Sequence, residues 1–477
     1  VNVEEFVFRA ENPSEELLFV NSFPGRDFLQ NPGRFSLPLL PFGEGWRISL
    51  ESRSAGATLA IGRTVPLSLS SEENRATLFF AGVNAFHFPP TQPGLSFACE
   101  AESGAACVSV CNMADGSALL IGSKGTARFD PASYRFTLIP EISGRTGARC
   151  ISTSEGTVIV GGVSSNTQER VSSVALTLDG KATLIDDPDG LLNRVGHQAT
   201  EIPLASQSVS SIPGGTQIEA DTAMVVITGG VGALGTPAND IGLLFFKASG
   251  EAWVEKMPLS GASAAALDGR SGYSAVQVLL PPDPSGPEGN SRAALLLIGG
   301  FEKDGRRSKK VHKLALSRQD VETTEMREAR SELGAVRLAN GEVLVAGGRG
   351  EDGQALKSSE RFDPVTNSAF APGPEMISPR SGHTMTLLQN GQVLIAGGVF
   401  GGESGEGAPP LQILREAELF DDTAVAGGRF LGVSDMRIPR TGHAALSLRD
   451  GAVLLVGGRG SSGLRAASDT VELFVPR

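Results

Sequence analysis

Residues 378–398 set a pattern that much of the chain repeats. An alternating apolar and polar run at 384–388 predicts a half-buried strand. Asn390-Gly391 predicts a type I′ hairpin turn, and the mostly apolar run 392–396 predicts the return strand. Gly397-Gly398 ends that strand where a side chain would be too large or φ must turn positive. The order recurs twice. Arg440 leads through Gly442-His443 and Asp450-Gly451 to Gly457-Gly458, and Arg330 leads through Asn340-Gly341 to Gly347-Gly348.

One hairpin cannot cover both of its faces, so a repeated hairpin predicts stacked units. Apolar runs also end at Gly161-Gly162, Gly229-Gly230 and Gly299-Gly300, with a degenerate Gly122-Ser123 ahead of them. The seven pairs lie 39 to 70 residues apart, about 56 on average, near the ~50-residue kelch period. A third strand follows, with an aromatic near its end: Phe129, Phe362 and Phe420, each before an Asp. Over residues 107–477 this pattern resembles the kelch motif of β-propellers. The resemblance implies an all-β fold with a seven-bladed kelch-like β-propeller over 93–477, or six blades if the Gly122 unit is not one. Residues 471–475 match a third strand, so the last blade is expected to take its outer strand from residues 95–98, closing the ring by strand exchange.

Residues 1–92 lack the double-glycine hairpin. Short alternating runs at 5–8, 17–20, 47–50, 57–61 and 77–80, separated by turn clusters, predict a small β-sandwich. Residues 46–51, 62–66 and 79–86 resemble the immunoglobulin-like domain that precedes kelch repeats in some envelope proteins of Gram-negative bacteria. Residues 88–94, rich in Pro, form the expected linker. Insertions at 204–220 and 281–292 fall between first and second strands, and one at 400–411 follows a double glycine. In repeat folds such loops often build the binding face.

Composition narrows the function. Sixty glycines, 28 prolines and 20% charged residues fit a turn-rich β protein. A net charge of −12 argues against nucleic acid and against an anionic membrane face. No apolar run approaches the ~18 residues of a membrane helix, so no transmembrane segment is expected. The sequence starts at Val1 without Met or a basic leader, which fits a processed or trimmed chain; any lipid anchor would sit on residues ahead of Val1. Cys99, Cys107, Cys111 and Cys150 cluster without zinc spacing and fit two disulfides of an exported protein, most simply Cys99–Cys107 and Cys111–Cys150 among three pairings. Four buried thiols in a cytosolic protein are the alternative.

Candidate chemistry is sparse. His197, His383 and His443 occupy one repeat position, taken by Tyr273 and Leu333 in other units. Such recurrence points to buried imidazoles bonding between neighbouring blades, with His87 and His312 isolated. Arg145, Arg194, Arg270, Arg330, Arg380 and Arg440 recur ahead of the first strand. They either bridge to carboxylates or carbonyls of an adjacent blade or ring an axial opening where an acidic ligand could dock. The Tyr, Cys and His set of copper radical oxidases is not matched, because the only tyrosines are Tyr134 and Tyr273 and the cysteines all lie early. The sialidase Asp box is missing too. The glycine loops at 122–125 and 229–232 precede no helix, so strand ends are the better reading. Residues 186–190 and 302–305 offer oxygens to Ca²⁺ but are also ordinary turns. No catalytic, cofactor or metal residues are assigned.

The resulting expectation is a non-catalytic scaffold of the periplasm, outer membrane or surface of a Gram-negative bacterium. It would contact a protein or glycan partner, within a larger assembly or alone, through its long loops. The alternative is an oxidase or carbohydrate-active enzyme using an axial pocket.

Overall fold

The computed structural model describes residues 3–12, 17–25, 40, 43–69, 78–93, 108–164, 167, 169–178, 180–202, 219, 221–232, 235–281, 292–316, 320–366, 369–402, 411–423, 427–460 and 470–477. The fold is all-β. Among the described residues its α-helix is the short Gly261–Leu267, capped by the Ser260 side chain.

The N-terminal strands form one antiparallel sheet in the order Leu17–Pro24, Glu5–Glu11, Gly43–Ser54, Ala57–Arg63, Ala81–Gly82, with Leu67–Leu69 also on Gly43–Ser54. Seven four-stranded antiparallel sheets follow. Their first strands are Ser109–Asn112, Arg149–Thr153, Gln198–Ile202, Ser274–Leu280, Gly334–Arg337, Thr384–Leu387 and Ala444–Ser447. Each first strand lies against that of the next sheet, and Ala444–Ser447 lies against Ser109–Asn112.

The second strands are continuous apolar runs because both of their faces are covered: Ala118–Gly122, Gly156–Val160, Val343–Ala346, Val393–Ala396 and Val453–Val456 are buried at every residue. The core sits between successive sheets. Phe129 and Leu120 of the first pack with Leu454 and Leu473 of the seventh, and Phe362 of the fifth packs with Leu296 of the fourth.

Two expectations change in detail. The Asn390-Gly391 turn is not type I′, which would need positive φ at both residues; only Gly391 has it, at 83°. Gly391 N–H donates to Leu388 O at 3.0 Å and Leu388 N–H to Gln392 O at 2.8 Å, the geometry of a three-residue loop with a glycine bulge. Asn390 Oδ1 accepts from Gln392 N–H at 3.1 Å, so its side chain, not a left-handed backbone, explains its selection. Asn340 and Asp450 do the same for Glu342 and Ala452.

The second change concerns closure. The seventh sheet does borrow its fourth strand from ahead of the repeats, but the strand is Ala85–His87, paired to Val471–Val475 with Phe86 opposite Phe474. Residues 95–98 lie outside the described residues. The borrowed strand precedes the expected boundary at residue 92 and brings a fully buried ring, which packs at a tilt against Phe474 at 5.0 Å between centroids. Gln92 then mimics a further backbone pair, since its side chain accepts from Val471 N–H at 2.9 Å and donates to Val471 O at 3.3 Å.

Candidate functional site

Recurrent polar residues are the first candidates, and the structure places them inside. Arg330, Arg380 and Arg440 are fully buried. Each sends Nη1 to the carbonyl of the first glycine of its own sheet, Gly347, Gly397 or Gly457, at 2.8–2.9 Å. Each sends Nη2 to a buried carboxylate on the third strand of that sheet: Glu360 at 2.8 Å, Glu418 at 2.6 Å and Glu472 at 2.7 Å. The same carboxylates accept two backbone N–H groups from the segment leading to the arginine, as Glu418 does from Ile377 and Ser378 at 2.7 and 3.0 Å. Every charge is therefore paired and hydrogen-bonded, the condition for burying it. Both sequence-level readings of the arginines need correcting: they bridge within their own sheet, not to an adjacent one, and they do not face an opening.

The carboxylate position is lost toward the N-terminal side of the repeats. Glu360 pairs across from Val345, two residues before Gly347; the corresponding residue opposite Leu297 is His312. Arg270 Nη1 lies 2.8 Å from His312 Nε2, and His312 Nδ1 lies 2.9 Å from Thr323 Oγ1. A guanidinium only donates, so Nε2 accepts and the proton sits on Nδ1. Burial and the Arg270 charge push this imidazole down to about 4. His312 is thus no isolated histidine. Its signal was in the sequence, since it follows Gly299 at the distance at which Glu360 follows Gly347. In the second and third sheets Val174 and Gly242 take the position. Arg145 and Arg194 there hold no carboxylate: Arg145 donates to Gly161 O, Ser172 O and, at 3.4 Å, to Ser143 O and Oγ, and Arg194 to Gly229 O and Asp240 O. With no anion to offset desolvation, Arg145 falls to about 10.

The histidines pack against the paired glycines. Cε1 of His383 would come within 2.7 Å of a Cβ on Gly347 of the preceding sheet, and Cβ of His383 within 3.0 Å of one on Gly398 of its own. His443 repeats this with Gly397 and Gly458, His197 with Gly161 and Gly230, Tyr273 with Gly229, and Leu333 with Gly299 and Gly348. Ala148, missed in the sequence reading, stands at the same place against Gly162. The first glycine of a pair thus makes room for the neighbouring unit and the second for its own unit, and both have positive φ. The expected bond between neighbouring units is made by His443, with Nε2 2.9 Å from Thr384 Oγ1, but not by His197 or His383, whose ring nitrogens are buried without a hydrogen-bond partner among the described residues. Burial depresses all three imidazoles, His197 and His383 to about 3.

Cys111 and Cys150 form a disulfide with Cα atoms 5.5 Å apart, joining the first strands of the first and second sheets. Cys99 and Cys107 lie outside the described residues. Of the oxygen-rich turns, Asp187 caps its own loop by accepting from Leu191 and Leu192 N–H, both at 2.8 Å. Glu302 is engaged by Ser308, Lys310 and Arg270. Among the described residues no three His, Cys, Asp or Glu side chains converge to hold a metal.

Most of insertions 204–220, 281–292 and 400–411 lies outside the described residues, but their roots are placed. The first two spring from the connection between first and second strands of the third and fourth sheets. The fifth, sixth and seventh sheets carry tight turns at that connection. Gln389-Asn390 and Asp450-Gly451, from the last two, face the N-terminal sheet across a cleft of about 340 Å³.

No family model matches the chain, and no curated protein does. Among solved structures, one titled "Structure of YjhT" aligns over 72% of this chain and 99% of its own at 12% identity, with a TM-score of 0.44. No described helix is long and apolar enough to cross a membrane.

Proposed function

We propose that the seven sheets form a seven-bladed kelch-like β-propeller behind an immunoglobulin-like β-sandwich, and that the protein is an exported, non-catalytic scaffold of the bacterial envelope. One observation carries the binding reading: the recurrent arginines, histidines and glutamates are buried, and the arginine and glutamate head groups bond one another and the backbone within each sheet. A side chain enclosed in this way is out of a substrate's reach. Recognition then falls to the parts that do not repeat. Two long insertions and the N-terminal sheet sit at first-to-second-strand connections, and so share one rim of the proposed propeller. Such a rim can vary without disturbing the blades. The Cys111–Cys150 disulfide fits an oxidising compartment.

The partner on this reading is a protein or glycan of the envelope. The test is to shorten 204–220, 281–292 and 400–411 singly, check folding by thermal melting, and measure capture of envelope proteins and binding to a glycan array. Loss of one defined partner on shortening either of the first two loops is the expected result. Retention in all three variants overturns the loop assignment.

A further inference from the structure

The cleft between the N-terminal sheet and the turns of the sixth and seventh sheets is chemically unlike the rest of the molecule. The chain carries a net charge of −12, yet five arginines line this cleft against three carboxylates, with no lysine among them. Its volume, about 340 Å³, lies in the range of small-molecule sites. Guanidinium groups present flat forks of N–H donors that match carboxylate and phosphate oxygens in pairs.

Arg63 is the centre of the argument. It ends the strand Ala57–Arg63 and reaches the Asp450-Gly451 turn, its Nη1 3.5 Å from where a Cβ on Gly451 would stand. It is half-buried, and desolvation lowers its pKa. Among the described residues it donates no hydrogen bond and closes no ion pair. Three carboxylates lie near it, Glu51, Asp450 and Glu11, and the first two are already spent. Glu51 holds Arg53 at 2.6 Å through Oε2 and Arg9 at 3.2 Å through Oε1. Asp450 accepts from the Tyr134 hydroxyl at 2.7 Å through Oδ2 and from Ala452 N–H through Oδ1. The Arg63 nitrogens keep access to water and are unclaimed within the chain, so an anion entering the cleft would meet a guanidinium with its donors free. The recurrent arginines differ, since their Nη atoms are bonded to carbonyls and carboxylates of the chain.

We propose that this cleft is a binding site for a small organic polyanion bearing carboxylate or phosphate groups, with Arg63 as the principal contact. Ser49, Thr64, Gln389 and Asn390 add neutral hydroxyl and amide groups along the wall, which suits a ligand that also carries hydroxyls. The positive cleft in an acidic protein would focus such an ion and make its capture salt-dependent. Its lining comes from the N-terminal sheet, the turns of the sixth and seventh sheets and residues 476–477, and the proposal stands whether or not the long insertions bind a partner.

Calorimetric titration of the intact chain at low ionic strength with citrate, inorganic phosphate and neutral glucose tests the site. Saturable binding of citrate or phosphate, weakened at least about tenfold by Arg63→Gln and by added salt, is expected. Binding of citrate alone assigns carboxylate ligands, and of phosphate alone phosphate ligands. Arg449→Gln, on the exposed wall, supplies a second variant if Arg63→Gln melts early, with a several-fold loss expected. Absence of binding to both anions, binding of glucose to the same extent, or unchanged affinity in both variants overturns the proposal.

Discussion

Glu418 shows how one side chain organises a unit. Its carboxylate joins Arg380, Ile377 N–H and Ser378 N–H in a site closed to water. Glu418→Ala removes the anion and leaves a buried guanidinium and two amides short of an acceptor, which should cost roughly 3–5 kcal/mol. Denaturant unfolding of the variant checks this; a loss below about 1 kcal/mol would show the ion pair to be dispensable. Gly347→Ala should be comparably damaging, because a Cβ there meets Arg380 O at 2.5 Å and His383 Cε1 at 2.7 Å while φ is +62°. Such residues were legible where a motif recurred intact. The Arg-to-Glu pairing was not, because arginine and glutamate lie 30 to 38 residues apart and the intervening loops differ in length. His312 escaped because histidine replaces glutamate by accepting as a neutral ring, a substitution that residue-type matching does not see.

At the scale of the element, hairpins could be read from the chain and long-range pairings only in outline. Alternation and turn residues locate the strands of sheets five to seven, since their contacts are local. The strand Ala85–His87 has only three residues and a partner almost at the other end of the chain, so periodicity gives it no signature. Its burial makes it testable. Phe86→Ala should cost about 3–5 kcal/mol, read as a lowered unfolding midpoint. A midpoint like that of the parent would mean that the strand does not close the seventh sheet. The Cys111–Cys150 bond closes a separation of 39 residues and should contribute about 2–4 kcal/mol. Cys111→Ser with Cys150→Ser should lower the midpoint accordingly, and an unchanged midpoint would contradict the contribution.

Across the whole molecule, the buried imidazoles predict a sensitivity to acid. His197, His312 and His383 have folded values of about 3, 4 and 3, below the ~6.5 of an unfolded histidine, and His443 is also strongly depressed. Protons therefore bind the unfolded chain first as pH falls. The stability these rings contribute is complete above pH about 6.5 and is lost progressively toward pH 4 and below, by up to ~1.4 kcal/mol per pH unit for each. His312→Gln should flatten that decline, which melting curves between pH 7 and 4 would register. The central claim is that the seven sheets close on themselves, the first strand of the seventh beside that of the first and Ala85–His87 completing the last. A crystal structure of the chain measures this most directly. The account predicts seven four-stranded sheets around one axis, with Phe86 opposite Phe474. An open stack, a different number of sheets, or a last sheet completed by another segment would contradict it.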